Sequence, residues 1–374
     1  MAQTRIVHDL WAAARGHRSA VSLHSHTHHS RENLAFLPGW ISRITALNAV
    51  ARIELSRQHR RHGRALDFSR AYWCPPLSPR AVIESESTQI AARLGLDPLV
   101  SITDHDNIDA SLGLATLGLT ASYPTSVEWT VPFGGQVFHL GIHNLPPETA
   151  GTIINMCRAF TARPAEGRLG PILDTITGDS ATLVVLNHPL WNARIDKDQD
   201  HSVLRAFLRA CRPYLHATEI NGYRSHAENK AAIRLGREWN LPVVAGGDRH
   251  GRAPNAMLNL TTAATFSEFV DEVRYGGRSC AVIMPEYQQH RATRVLEVIG
   301  DVLRHDSSLD AGQQRWVQRV FVIGDDGQHR PLEQYWTGVP LWIRALLRGT
   351  KLMGSVTARQ ALRLGLAVDD GGVL

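Results

Sequence analysis

Short apolar runs rich in β-branched residues alternate along this chain with longer segments of helical periodicity. The runs are "AVSLHSH" (20–26), "PLVSITDHD" (98–106), "PTSVEWTV" (124–131), "QVFHLGIH" (136–143), "ATLVVLNHP" (181–189), "HATEINGY" (216–223) and "LPVVAGGDRH" (241–250). Between most of them lie amphipathic stretches such as "SPRAVIESESTQIAARLG" (78–95), "PPETAGTIINMCRAF" (146–160) and "HAENKAAIRLGREWN" (226–240). Strand alternating with helix predicts an α/β fold with a mostly parallel sheet, open or closed into a barrel. Runs this apolar are expected where helices cover both faces. Gly134-Gly135, between two β-like runs, predicts a hairpin that interrupts the rhythm.

Two segments stand outside the alternation. About residues 34–77 read as a helical, arginine-rich insertion after the first strand. Residues 286–374 read as a helical C-terminal extension, with "HRATRVLEVIGDVLRH" and "GVPLWIRALLRG" as its clearest helices. The expected division is thus a barrel-like unit over 1–285, carrying the insertion, followed by the extension.

The polar residues cluster at the strand ends. His24-x-His26 closes the first run, and Asp104-His105-Asp106 the second. Glu128, His139, His188-Pro189 and Asp248-Arg249-His250 close the third, fourth, fifth and seventh. In parallel α/β folds the C-terminal strand ends share one edge, where ligands bind. Any one of these residues has an ordinary explanation: Asp104 or Asp106 as a helix cap, His188-Pro189 as a turn. Six strand ends placing N and O donors at one edge are harder to explain singly. His216 opens its strand and lies at the other edge.

Composition narrows the chemistry. The chain has 374 residues, 43% hydrophobic and 20% charged, as in an ordinary globule. Its formal net charge is +5, with a pI near 9.2. Nearly all basic residues are arginine; Lys197, Lys230 and Lys351 are the only lysines. Arginine suits bidentate contacts to phosphate. Four scattered cysteines without a CxxC pair argue against a thiolate zinc site or a disulfide framework. No apolar run is long enough to span a membrane and the N-terminus lacks a signal-peptide core, so a cytoplasmic protein without a membrane partner is expected. Imidazole and carboxylate without thiolate suit Zn, Mn or Fe. The donors outnumber the needs of one ion, which implies two or three divalent ions, with Glu128 able to bridge two.

The ordered set "HSHTHHS" (24–30), "ITDHD" (102–106), "VEWT" (127–130), "FHLGIH" (138–143), "LNHP" (186–189) and "GGDRH" (246–250) resembles the polymerase-and-histidinol-phosphatase (PHP) superfamily over roughly residues 18–280. The resemblance implies a distorted (β/α)7 TIM-like barrel with a metal cluster at its mouth and phosphoesterase activity. It implies one ion held by His24, His26, Glu128 and Asp248, a second by Glu128, His139 and His188, and a third by His105 and His250. Where the family places a further third-site ligand, this chain has Arg31 and Glu32; only Glu32 can ligate. The implied function is hydrolysis of a phosphomonoester or phosphodiester, with His188, Asp248 and Glu128 at its catalytic centre. An amidohydrolase-like hydrolase acting at carbon and a non-catalytic binding module are the alternatives.

For the substrate, a phosphate-bearing small molecule or short nucleotide, the candidates are Arg224 and His226 beside a helix N-terminus, and Arg249 between two expected ligands. His28 and His29 either shape the pocket or are solvated. "RQHRRHGR" (57–64) in the insertion leaves nucleic-acid binding open, although basic helix faces are more often simply solvated.

Overall fold

Each expected run forms a strand. A computed structural model describes residues 2–10, 14–34, 45–62, 67–117, 123–191, 201–289 and 291–335. Its strands in chain order are β1 (Gln3–Val7), β2 (Ser19–Ser25), β3 (Glu32–Asn33), β4 (Ala71–Trp73), β5 (Asp97–Val100), β6 (Thr125–Phe133) and β7 (Gln136–Leu145). They continue as β8 (Leu183–Asn187), β9 (Ala217–Asn221), β10 (Val243–Arg249), β11 (Met257–Thr261), β12 (Arg278–Ile283), β13 (Val320–Ile323) and β14 (His329–Pro331). Every residue of β2, β8, β9 and β10 is buried, as expected of strands covered on both faces.

The main sheet has ten strands in the order β1-β12-β11-β2-β10-β9-β8-β7-β6, with β5 paired to β2 off this path. It is mixed rather than mostly parallel. β8, β9, β10, β2 and β5 pair in parallel, but β7 runs antiparallel between β6 and β8, and β11 antiparallel between β2 and β12. The chain beyond β5 carries the pairing onward. Ser101 and Thr103 donate to the carbonyls of Ser22 and Ser25, and His105 bridges in parallel to Glu128. Hydrogen bonding therefore runs from β2 through residues 101–106 to β6, whose other edge already pairs with β7.

Local chemistry sets the helix ends. Helix Pro79–Leu94 opens with Ser78 capping Ala81 N–H and Pro79 in the first turn, and Gly95 in the left-handed region stops it. Ser225 and Glu228 form a reciprocal capping box that starts helix His226–Glu238 just past β9. The β6–β7 turn places Gly134 and Gly135 at φ of 57° and 78°, the geometry of a tight hairpin. Val127, Trp129, Phe138 and Leu140 from this hairpin enter one core with Ile153, Phe160 and Phe207.

Two expectations are corrected. The extension is not helical throughout: after helix Arg291–Leu303 come β13 and β14. Nor is the insertion only helical, since helix Thr45–His62 is followed by β4. These strands form a second antiparallel sheet, β14-β13-β4-β3, joining the insertion to the extension. "GVPLWIRALLRG" lies outside the described residues, as does the end of "RQHRRHGR". Among the described residues, no helix is long and apolar enough to cross a membrane.

Candidate metal centre

The ends of β2, β8 and β10, the middle of β6 and the start of β7 meet at one edge. His139 gets there for a reason opposite to the expected one. It lies early in β7, and because β7 runs backwards, its N-terminal half reaches the edge that its neighbours reach with their C-terminal ends. Register places His139 opposite Thr130 and Asn187. His143, four residues deeper on β7, bonds Ser101 Oγ through Nδ1 at 2.8 Å and stays out of the cluster.

All nine expected ligands converge. His24, His26 and Asp248 form one group, and His24, Glu128 and His188 another. His105, Glu128 and His139 form a third; His26, Glu32, His105 and His250 form a fourth, with ligand atoms within 4.8 Å of one another in each. Glu128 is fully buried at the centre. Its Oε2 lies 2.9 Å from His24, 3.3 Å from His26 and 3.4 Å from His105, while its Oε1 lies 3.1 Å from His188 and 3.5 Å from His139. Glu32 Oε2 stands 3.4 Å from His105 Nε2 and 3.2 Å from His250 Nε2. Arg31 turns away, its guanidinium over the Tyr72 ring.

The outward nitrogens are tied back. His24 Nδ1 bonds Glu219 Oε1 at 2.6 Å, His26 Nδ1 bonds Ser30 Oγ at 3.2 Å, and His250 Nδ1 bonds the Asp248 carbonyl at 2.7 Å. Each ring thus presents Nε2 to the cluster. His26 Nε2 and His139 Nδ1 are buried there with no hydrogen-bond partner. Orphaned acceptors of this kind, aimed among carboxylates and braced from behind, fit a divalent cation.

Electrostatics agree. Burial alone would raise the Glu128 carboxyl, but His24, His105 and His139 outweigh it and hold it well below the usual range. Asp248 is likewise held low against burial by His24, His26 and His250. Burial opposes protonation of His105, yet Glu32 and Glu128 push it up to about 10. The donors strongly favour positive charge in their midst.

Backbone strain accompanies this aim. His24, His188 and Asp248 have φ of 63°, 26° and 55°, the left-handed region that non-glycine residues rarely adopt. Each costs roughly 1–3 kcal/mol, which surrounding structure must over-determine.

The residue missed from sequence is Glu219. Fully inside β9, it bonds His24 through Oε1 and accepts His188 N–H (2.8 Å) and Asn221 Nδ2 (3.0 Å) through Oε2. Gly246 makes room for it: a Cβ there would lie 1.6 Å from Glu219 Oε1. A lone carboxylate inside the apolar run "HATEINGY" was the available signal.

The substrate candidates separate. Arg224 reaches Asp248, Nη2 to Oδ2 at 3.5 Å, at the edge of the cluster and one-fifth exposed. His226 does not join them; its ring packs edge-on against Tyr287. Arg249 does not either. It is wholly buried against Glu86, Nη1 to Oε1 at 2.7 Å, on the opposite strand face from its neighbours Asp248 and His250. Period-two alternation requires that placement. His28 and His29 pair with each other, Nε2 to Nε2 at 3.2 Å, beside the cluster and half-buried.

No family model and no curated protein matches the chain. Among solved structures it is similar to a proposed metal-dependent phosphoesterase from Bifidobacterium adolescentis, at 15% identity over 53% of this chain and 91% of that one, with a TM-score of 0.33. An amidohydrolase from Chromobacterium violaceum with bound sulfate and no metal matches at 14% identity, 47% and 83% coverage and TM-score 0.34. PsfC from Pseudomonas syringae matches at 15% identity, 56% and 83% coverage and TM-score 0.38. At scores this low the matches carry no weight, and the reading of the site rests on its own geometry.

Proposed function

We propose that the chain is a metal-dependent phosphoesterase of the PHP type, hydrolysing a phosphomonoester or phosphodiester. The observation that carries this reading is the convergence of nine imidazole and carboxylate side chains from separate strands and loops, without one thiolate. The backbone pairing that runs from β2 through residues 101–106 to β6 is consistent with a closed barrel whose mouth is this edge. His24, His26 and Asp248 would hold one ion, His139 and His188 a second, and Glu32, His105 and His250 a third, with Glu128 shared. Divalent ions bound here supply Lewis acidity, which makes water nucleophilic near neutral pH and offsets charge on phosphoryl oxygens.

The chain's own residues do the rest. Glu219, Ser30 and the Asp248 carbonyl fix the imidazole tautomers, so that no ring must reorient during turnover. Arg224 binds the substrate's phosphate: its guanidinium is partly exposed beside Asp248, and Nε is buried with no hydrogen-bond partner. Arg249 has no part in binding. The substrate is a phosphate-bearing small molecule or short nucleotide. The deciding experiment screens protein loaded with Zn, Mn or Fe against phosphomonoesters, dinucleotides, short oligonucleotides, carboxylic esters and amides. Phosphoester cleavage that chelation abolishes, read as phosphate release from monoesters or as the monoester and alcohol products of diesters, supports the reading; turnover of amides or carboxylic esters alone overturns it in favour of chemistry at carbon.

A further inference from the structure

Glu32 is the ligand least anchored by the main sheet. It belongs to β3, a two-residue strand whose described partner is β4, where Glu32 lies opposite Trp73 and Asn33 opposite Tyr72. β4 is held from its other edge by the extension: Trp73 pairs with Val320, Tyr72 with Phe321 and Ala71 with Val322. Two residues of sequence thus connect to a strand nearly 290 positions away, and a catalytic-edge carboxylate hangs from that connection.

The extension is built to hold β4 in place. Cys74 N–H donates to the Arg319 carbonyl at 2.8 Å, extending the ladder past Trp73. Phe321 stacks on Tyr72 at 5.2 Å with the rings 12° apart. Arg319 is fully buried, and its guanidinium binds the carbonyls of Gln313, Val302 and Arg304, tying the end of helix Arg291–Leu303 and the segment at Gln313 to the residue that precedes β13. On the site side, Trp73 sets its ring 5.9 Å from His250, the partner of Glu32. Ser30 donates to Glu32 Oε1 at 2.7 Å, and the same hydroxyl accepts from His26 Nδ1 and His105 N–H. Moving β4 would therefore shift Glu32, Ser30 and Trp73 together, while leaving His24, Glu128, His139 and His188 on their own strands.

We propose that β13 of the extension is a working part of the metal centre, which positions Glu32 through β4 so that the group His26, Glu32, His105 and His250 takes up its ion. Phe321 and Arg319 are positioning residues in this scheme and touch no ligand. The inference rests on reading the cluster as a metal centre.

The test titrates metal-free full-length protein with Co(II), following visible absorbance and heat, in the wild type, Phe321→Ala, Arg319→Ala, Glu32→Gln and the double variant Glu32→Gln/Phe321→Ala. Phe321→Ala keeps the buried arginine and so guards against a simple failure of Arg319→Ala to fold. The expected result is that both extension variants weaken one Co(II) site roughly 10- to 100-fold and alter its absorbance, with the remaining site or sites unchanged. Glu32→Gln should do the same, and the double variant should lose no more than Glu32→Gln alone, because both changes act on one site. Full wild-type titration in a folded Phe321→Ala protein overturns the inference, as does uniform weakening of every site. A wild type that binds no Co(II) overturns the metal centre itself, which is a separate failure.

Discussion

Glu219 grips His24 from behind: its Oε1 lies 2.6 Å from Nδ1, on the far side of the ring from Glu128. The carboxylate selects the tautomer that leaves Nε2 free and raises its basicity as a ligand. Glu219→Gln should weaken metal binding by roughly 10- to 100-fold without removing any ligand. Gly246→Ala should imitate it, since a methyl there would displace the Glu219 side chain. Competition against a chelator of known affinity reads both effects, and wild-type affinity in Glu219→Gln would show that the brace is dispensable.

Glu128 faces five imidazoles with its two oxygens, whereas Glu32 faces three, one of them only at 3.9 Å. Glu128→Gln should accordingly release more metal than His250→Ala, which strips one corner of one group. Elemental analysis of freshly purified proteins makes the comparison. Equal metal content in the two variants would deny Glu128 its shared role.

Arg249 exchanges a predicted binding role for a structural one. Its ion pair with Glu86 is entirely buried, and Glu86 also accepts from Asn255 N–H and the Ser22 hydroxyl. Arg249→Ala leaves that carboxylate uncompensated, at a cost of about 3–5 kcal/mol. Urea unfolding should reveal the loss directly. KM measured on the protein that remains folded should not change; a raised KM with normal stability would return Arg249 to the substrate.

What could be read from the sequence follows from the range of the interactions. Apolar runs marked β2 and β6 to β10 because burial on both faces leaves a local trace. Eight donors were found because runs that end in polar residues share an edge in any such fold, and Glu32 was reached only through the resemblance to the PHP superfamily. Arg249 was readable as well: it alternates with Asp248 and His250, so one strand could not aim all three the same way. His139 required knowing that the hairpin reverses β7, which the Gly134-Gly135 turn implied. The second sheet left no trace. Strands as short as β3, β4 and β14 carry no period, and their pairing joins residues that only the folded chain brings together.

His216 immediately precedes β9, and the fold disfavours its protonated form. Burial lowers it from 6.5 to about 3, with Arg274 and Arg212 adding to the effect, and its Nδ1 accepts Val184 N–H at 2.9 Å. Between those two values the unfolded chain takes up a proton that the folded chain refuses, so stability falls as pH drops through the window. His216→Asn keeps an acceptor near the Nδ1 position and removes the titration. Its melting temperature should decline less than the wild type's between pH 6.5 and about 4. The difference is partial, because buried His143, also held at about 3, behaves the same way. Parallel curves for the two proteins, measured with chelator present, would rule out His216 as a source of acid sensitivity.

His188 and Arg224 flank the same carboxylate-rich edge but are assigned different work. His188 Nε2 lies 3.1 Å from Glu128 and belongs to the cluster, whereas Arg224 reaches Asp248 from outside and retains exposed surface. Removing a ligand damages the nucleophile and the charge clamp together, so His188→Ala should lose turnover by orders of magnitude on any phosphoester. Removing an arginine that binds ground and transition states alike should chiefly raise KM, by an amount equivalent to about 1.5–3 kcal/mol for a charged hydrogen bond. Arg224→Lys should recover part of the loss, since the charge survives while the bidentate fork does not. Steady-state kinetics on the best substrate from the screen and on a generic chromogenic diester separate the roles: His188→Ala fails on both, and Arg224→Ala loses more on the better substrate. A fall in kcat without a rise in KM for Arg224→Ala would place the arginine in the transition state instead, and full activity in His188→Ala would remove that histidine from the centre.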